Sequence, residues 1–112
     1  MHIIYDNFFL KHHTGNFHPE NAGRLVAIKK YLDRSRLFKK IVFTDPSAAT
    51  AGQVCMVHER EYVAKVRKLS ESGLIYYLDA DTVVSPDTYN CAMLAAGGCL
   101  NGIDFLLRKK KT

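Results

Sequence analysis

The chain has 112 residues, of which 47% are hydrophobic and 24% are charged, and its formal net charge is +5. This composition is typical of a folded globular protein and excludes a disordered tail, while the length allows one domain or part of one. The first residues lack the basic region and long apolar stretch of a signal peptide, and no apolar run approaches the ~18 residues of a membrane span. We therefore expect a cytoplasmic chain with no membrane partner.

The first third of the chain is predicted to begin with a buried strand at residues 2–5, which are β-prone. Residues 7–21 follow no hydrophobic period and contain glycine and proline, so we expect a long ordered loop, and loops of that length are usually functional. Asn21 is in position to cap a helix that runs to about residue 34 along one apolar stripe.

The middle of the chain contains a second predicted strand, at residues 40–44. Residues 50–53, Thr-Ala-Gly-Gln, match a capping box and predict a short helix. An amphipathic helix is expected from about residue 59 to residue 70, with Gly73 as its C-terminal cap.

The last predicted helix starts at Ser85-Pro86-Asp87, which combines a capping serine, a proline at the first position and an acid in the first turn. It runs to about residue 109 and ends in a basic tail, residues 108–111. We interpret this tail as a solvated helix end rather than a nucleic-acid patch, because no aromatic-rich basic groove accompanies it. Small residues in the middle of the helix predict close packing against a neighbouring element. They are Ala95, Ala96, Gly97, Gly98 and Gly102.

The three cysteines, Cys55, Cys91 and Cys99, form no C-x-x-C pair, and their odd number argues against a disulfide framework or a zinc ribbon. Cys91 and Cys99 are eight positions apart, which is roughly two helical turns. We therefore expect both side chains to lie in the core on one helical face.

Two convincing strands and several helices indicate the beginning of an α/β protein. A parallel sheet is normally covered on both faces and contains more strands than this, so the sheet is expected to be incomplete. We therefore predict that residues 1–112 form a single partial domain.

Three histidines, His12, His13 and His18, lie within the first predicted loop and could converge on a metal ion. No Asp, Glu or Cys at ligand spacing completes a site nearby, so we assign no metal ligand here. Lining a pocket and bonding to the backbone remain alternative roles for these side chains.

Asp79 and Asp81 could act as an acid–base pair or as Mg²⁺ ligands, but carboxylates in a loop ahead of a helix are also common turn formers. Holding a backbone amide of a substrate is a further role open to them. His58 and Tyr62 are spaced i, i+4, and we interpret them as a structural pair.

Four segments carry a family resemblance. They are His18-Pro19-Glu20-Asn21-Ala22-Gly23-Arg24, Val57-His58 with Tyr62-Val63, Leu78-Asp79-Ala80-Asp81-Thr82, and Leu94-Ala95-Ala96-Gly97-Gly98. In this order and at this spacing the chain resembles the N-terminal part of the histone deacetylase family, which includes bacterial acetoin-utilisation and acetylpolyamine deacetylases. The resemblance spans nearly the whole chain.

The resemblance implies a three-layer arginase–deacetylase fold and a Zn²⁺ ion that polarises an acetamide carbonyl and activates water, with histidine as general acid and base. It implies that His18, Pro19 and Glu20 belong to a loop lining the substrate tunnel. It also implies that Arg24 lies in an internal channel behind the metal, and that Asp81, or alternatively Asp79, is the rim aspartate that holds the substrate backbone.

The family's catalytic histidine pair and its zinc ligands come after the Gly-Gly helix, and this chain contains none of them. His12-His13 lies upstream, in a different loop. We therefore assign no catalytic residue, metal ligand or cofactor to this chain, and expect zinc only in a complete family enzyme. We expect the isolated chain to be inactive.

Two functions follow from these observations. In the first, which the resemblance implies, we expect the chain to be the N-terminal segment of a zinc deacetylase acting on acetyl-lysine proteins or on acetylated small molecules such as acetylpolyamines. Alternatively, it is a non-catalytic interaction module that covers its open sheet edge by forming a homo-oligomer or by docking on a partner. Nucleic acid is not an expected partner.

Overall fold

The structure is a computed structural model, and it describes residues 1–36 and 38–110. Lys111, which belongs to the predicted basic tail, lies outside the described residues. The helices are α1 (Ala22–Arg34), α2 (Ala51–Val54), α3 (Arg60–Glu71) and α4 (Thr88–Lys110), and two short 3-10 helices cover Asn7–Lys11 and Phe38–Lys40. The strands are β1 (His2–Ile4), β2 (Val42–Thr44), β3 (Tyr76–Tyr77) and β4 (Val83–Val84).

The first sheet is a parallel pair, in which His2 of β1 lies opposite Val42 of β2 and Ile4 lies opposite Thr44. Parallel neighbours need a crossover connection, which here contains α1. The predicted α/β class is confirmed. The sheet is also incomplete as predicted, because within the described residues it contains β1 and β2 alone.

The second strand pair is antiparallel, with Tyr76 of β3 opposite Val84 of β4. The sequence did not predict β4, because a strand of two residues is too short to display an alternating pattern. The first loop also differs from expectation, since its opening residues 7–11 are wound into a 3-10 helix.

The predicted capping box is confirmed. The Gln53 backbone N–H donates to Thr50 Oγ1 at 3.1 Å, and the Thr50 N–H donates to Gln53 Oε1 at 2.9 Å. Gly73 follows the last cap residue of α3 with φ +77°, a left-handed conformation that glycine adopts without steric cost. Asn21 is the N-cap of α1 by position, but its side-chain amide donates to the His18 carbonyl instead of capping the helix.

The start of α4 was predicted three residues too early. The helix begins at Thr88, and the preceding Asp87 has φ +66°, which is outside the helical region. Ser85 is completely buried, and its backbone bonds to the first residue of the helix. Its N–H donates to Thr88 Oγ1 at 2.8 Å, and the Thr88 N–H donates to the Ser85 carbonyl at 3.1 Å.

The glycines of α4 pack closely against neighbouring elements, as predicted, with Gly97 against backbone and Gly98 and Gly102 against the Ile4 side chain. A Cβ atom added at Gly97 would lie 1.8 Å from the Ser47 carbonyl oxygen and 2.6 Å from the Ala49 nitrogen. The Ala49 N–H donates to the Met93 carbonyl at 2.9 Å, so the segment after β2 is hydrogen-bonded directly to the helix. The glycine therefore permits backbone contact that any side chain would block.

The core surrounds the first half of α4. Its buried apolar residues are Ala49, Val63, Val83, Val84, Cys91 and Met93. The second half of α4 is exposed, and the prediction that Cys99 is a core residue was wrong, whereas Cys91 is buried. Eight residues leave two side chains about 80° apart around a helix.

The expectation that no segment is long and apolar enough to span a membrane is also corrected. Thr88–Lys109 of α4 is 22 residues long and contains an 18-residue window of mean hydropathy 1.3, so it is long and apolar enough to cross a membrane by length and composition. A helix that packs in the core of a globular protein meets the same criterion. In this structure 22% of that window is buried, and the buried residues include Cys91 and Met93 in the first half of the helix.

We predict that Gly97→Ala lowers the free energy of unfolding by about 1–3 kcal/mol, because the new methyl group would overlap backbone atoms that cannot rotate away. Urea or thermal denaturation followed by circular dichroism measures this change. Gly52→Ala is the matched control, since its added Cβ meets Thr50 Oγ1 at an ordinary 3.8 Å. Equal unfolding free energies for the two variants would contradict the close contact at Gly97.

Candidate functional site

The first loop, residues 12–21, lies beside the acidic turn, residues 79–82, and a cleft of about 360 Å³ opens between them and the helices α3 and α4. Apolar side chains form much of its wall, including Val63, Val66 and Met93. The polar side chains that line it are His12, Glu20, His58, Tyr62, Asp81, Thr82, Thr88 and Tyr89. An apolar cleft with a few polar groups is the usual form of a small-molecule site.

His18 connects the first loop to the acidic turn. Its Nε2 lies 3.0 Å from the Asp81 carbonyl oxygen, and its Nδ1 lies 3.1 Å from the Glu20 backbone nitrogen. A carbonyl oxygen only accepts, so the bond to Asp81 places a proton on Nε2. Nδ1 also lies 3.1 Å from the Glu20 carbonyl oxygen, so both of its neighbours belong to the Glu20 backbone. The imidazole therefore holds two segments together that are 63 residues apart in the chain.

Asp79 and Asp81 have different roles in the acidic turn. Asp79 Oδ1 accepts from the Asp81 N–H at 2.9 Å, and Asp79 Oδ2 accepts from Thr82 Oγ1 at 3.0 Å. These bonds favour the ionised form and lower the pKa of Asp79 below its ordinary value, the Asp81 N–H having the largest effect. Asp79 is thus the turn former that the sequence left as one alternative.

The Asp81 carboxylate is exposed, and within residues 1–36 and 38–110 it has no hydrogen-bond or ion-pair partner. Its backbone, in contrast, is held on both sides, by Asp79 at the N–H and by His18 at the carbonyl. The side chain is therefore presented from a fixed backbone and remains available to a ligand.

The first loop is anchored on the beginning of α4. His12 Nδ1 lies 2.8 Å from Thr88 Oγ1, while its Nε2 lies 3.6 Å from Glu20 Oε2. The His13 backbone N–H donates to Ser85 Oγ at 3.0 Å. These contacts place His12 against the cleft, so it both lines the pocket and supports the loop.

The three loop histidines do not form a metal site with acidic or thiol ligands. Across the part of the chain that the structure describes, no three His, Cys, Asp or Glu side chains are grouped so that they could hold a metal ion. The donors here therefore do not fit the catalytic zinc that the resemblance implies. No step of a reaction is assigned to a metal held by this chain.

The six residues predicted to shape the pocket fall into three groups. Glu20 and Asp81 line the cleft. His18 and Asp79 do not line it but fix the backbone of Asp81. Pro19 and Arg24 are exposed and do not border the cleft, so the described residues alone do not form the predicted channel around the arginine.

Some residues that shape the site were not identified from the sequence. The hydroxyl of Ser70 donates to the Ser85 carbonyl at 3.1 Å and accepts from the Tyr89 N–H at 3.1 Å, which joins α3 to the start of α4. A serine within an amphipathic helix gives no sign of such a role. His58 and Tyr62 were predicted as a structural pair, and their rings are 6.0 Å apart, but both also line the cleft.

Comparison with known proteins gives a consistent result. Residues 18–112 match the family model described as histone deacetylase domain. An uncharacterized protein of Synechocystis is 38% identical over 97% of this chain, and the match covers 36% of that protein. A probable deacetylase of Archaeoglobus fulgidus is 32% identical over 96% of this chain, and the match covers 30% of that protein.

Among solved structures, the crystal structure of the HDA15 HD domain superposes with a TM-score of 0.80 and 28% sequence identity. The superposition covers 89% of this chain and 30% of that chain. The chain thus spans about a third of the length of the curated relatives named above.

We predict that the Asp79 carboxyl titrates below its ordinary pKa and that Thr82→Val moves this pKa upward, because one of the bonds to the ionised form is lost. Carbon-detected NMR of the side-chain carboxyl groups measures both values. Since the folded-state pKa is depressed, the stabilising effect is present above the unfolded-state pKa and disappears as the pH falls through the folded-state value. An unshifted Asp79 would contradict its role as the ionised centre of the turn.

Proposed function

The chain belongs to the histone deacetylase family, as the sequence predicted, and we propose that it forms the substrate-entrance part of a deacetylase. The reaction proposed for the whole domain is removal of acetyl groups from acetyl-lysine or acetylpolyamine-type amides. In this proposal the cleft between the first loop and the acidic turn borders the path of the substrate.

The observation that carries the proposal is the arrangement around Asp81. An ionised carboxylate only accepts hydrogen bonds, so its natural partner is an N–H donor such as a backbone amide of an acetylated peptide. Because Asp79 and His18 already fix the backbone on both sides of Asp81, little ordering is needed when a substrate arrives. Such preorganisation reduces the entropic cost of positioning a substrate.

Zinc-dependent chemistry is the finer part of the proposal. In a family enzyme the ion would polarise the acetamide carbonyl and activate a water molecule. Because the described residues group no three metal-binding side chains, the proposal assigns the zinc ligands and the catalytic histidines to sequence other than residues 1–36 and 38–110. The contribution of this chain is to bind and orient the substrate.

The cysteines support a proposal about location. Cys55, Cys91 and Cys99 are all free thiols, which is the usual state in a reducing compartment. We therefore retain the cytoplasm as the proposed location, and cell fractionation with an antibody to the chain tests it.

We predict that the purified chain alone neither binds stoichiometric Zn²⁺ nor hydrolyses an acetyl-lysine reporter. A chimera that joins this chain to the part of the Synechocystis relative that it does not match is expected to do both. Metal content by elemental analysis and turnover of the reporter with added Zn²⁺ are the measurements. Stoichiometric zinc together with turnover by the chain alone would overturn the division of roles.

We also predict that Asp81→Ala in this chimera raises KM for an acetylated peptide roughly tenfold, as expected for loss of one charge-assisted hydrogen bond. A small acetylated amine without a peptide backbone should show little change, because it offers no backbone N–H to Asp81. Asp33→Ala is the control, since it removes a carboxylate at the last turn of α1 that pairs with Lys29 on the surface, away from the cleft. Equal losses for both substrates would contradict backbone recognition by Asp81.

A further inference from the structure

The positive charge of the chain is concentrated in residues 24–40. This segment contains seven of the sixteen lysines and arginines but one of the eleven acidic residues, so its net charge is +6, while that of the whole chain is +5. In the structure the segment forms most of α1 and the 3-10 helix Phe38–Lys40, which contact each other. Charge of one sign gathered in one region of a small protein is typical of a surface that binds a polyanion.

The acidic residue of this segment, Asp33, is already paired. Lys29 Nζ donates to both of its carboxylate oxygens, at 2.7 and 2.9 Å. Within residues 1–36 and 38–110, the other cations of the segment have no ion-pair partner. They are all exposed, and they are Arg24, Lys30, Arg34, Arg36, Lys39 and Lys40. The described carboxylates therefore do not neutralise this region.

Helix stability accounts for only part of this charge. A cation in the last turn, such as Arg34, interacts favourably with the negative end of the helix dipole. Lys30 is four residues earlier on α1, and like charges at that spacing repel each other and destabilise a helix. An anion bound beside both side chains would remove this repulsion.

An exposed aromatic ring lies among these cations. Tyr31 is 73% exposed, and it lines an open cleft of about 480 Å³ at the end of α1. The other residues that line this cleft are Ala27, Lys30, Arg34, Ser35 and Arg36. The ring offers a flat face for stacking, and the lysine and arginine side chains are donors to phosphate oxygens. None of the six lines the cleft at Asp81, so this surface is separate from the candidate site.

We propose that the α1 surface, formed by Lys30, Tyr31, Arg34, Ser35 and Arg36, binds a single-stranded nucleic acid. The ring of Tyr31 stacks on a base, and the cations hold the phosphates of neighbouring nucleotides. Every base has a flat π face, so the binding has little sequence preference. The expectation that nucleic acid is not a partner rested on the basic tail, which is separate from the α1 surface.

An acidic peptide and an anionic membrane fit the α1 surface less well. Ion pairs between carboxylates and exposed cations are weak, because water and salt screen them. A nucleic acid releases condensed counterions when cations contact its phosphates, so the same exposed cations contribute more to binding. A helix that lies on a membrane has a broad apolar face, whereas four of the six residues that line this cleft are polar or charged.

The proposal is tested by fluorescence anisotropy of labelled oligothymidylate titrated with the purified chain. A probe of about 20 nucleotides is longer than the roughly 4–16 nucleotides that single-strand sites cover. The logarithm of the affinity falls against the logarithm of the salt concentration with a slope of about −0.7 for each phosphate contacted, so contacts from three cations predict a slope of about −2. Unlabelled oligothymidylate, a duplex of the same length, polyglutamate of matched charge and phosphatidylserine vesicles are compared as competitors, and we expect the first to compete best.

Two double variants locate the phosphate contacts. Lys30→Gln with Arg34→Gln removes two cations of the α1 surface, and Lys65→Gln with Lys68→Gln removes two exposed cations of α3 that are also without an ion-pair partner within the described ranges. Both double variants have the same net charge. We expect the first to weaken binding about tenfold and to reduce the salt slope by about 1.4, and the second to leave both nearly unchanged.

Tyr31→Ala tests stacking separately from charge. Tyr77→Ala is the matched control, because Tyr77 is 68% exposed, close to the 73% of Tyr31, and lies outside the α1 surface. We expect Tyr31→Ala to weaken binding about fivefold or more, the effect of losing one stacked base, without changing the salt slope. Circular dichroism checks that all variants fold, which is expected because the altered side chains are exposed.

Three results would overturn the proposal. They are absence of saturable binding to oligothymidylate, equal losses in a variant of the α1 surface and its control, and competition by the duplex, polyglutamate or the vesicles that equals or exceeds that of oligothymidylate. The last result would assign the surface to whichever competitor binds best. These readouts require no turnover, so the proposal stands or falls independently of the proposed deacetylase function.

Discussion

The structure depends on the complete burial of Ser85 at the start of α4. The backbone N–H of this residue donates to Thr88, its carbonyl accepts from the hydroxyl of Ser70, and its own hydroxyl accepts from the His13 N–H. An unpaired polar group at such a depth would cost about 1–3 kcal/mol, so the three partners are effectively obligatory. One residue thereby fixes the first loop, α3 and the beginning of α4 relative to one another.

The geometry of the candidate site depends on these hydrogen bonds of Ser85. With the first loop held on α4, His18 reaches the Asp81 carbonyl, and the acidic turn becomes attached to the loop. Asp79 then completes the turn from within, and the carboxylate of Asp81 is left for a ligand. Two neighbouring aspartates therefore differ in role because of their hydrogen bonds and not because of their side-chain chemistry.

The sequence predicted the features whose signals are local. The capping box at Thr50 and the left-handed Gly73 depend on residues close in the chain, and the need for small residues near Gly97 is visible in the helix itself. Prediction from the sequence failed for features that depend on contacts between residues far apart in the chain. The helix α4 starts at Thr88 because Asp87 has a non-helical φ of +66°, and no spacing rule could reveal a bond from His18 to a carbonyl 63 residues later.

Dependence on distant contacts also explains why the two cysteines of α4 differ in burial. Cys91 lies in the covered half of the helix, where its thiol bonds to the Phe8 carbonyl and burial raises its pKa to about 11. Cys99 lies in the second half of the helix and is exposed. A helical pattern specifies which residues are apolar, but burial also requires a second surface to cover them.

The two halves of α4 therefore differ in how far their apolar side chains are covered. The first half is stabilised by contacts within the chain, whereas the large apolar side chains of the second half stay exposed to solvent.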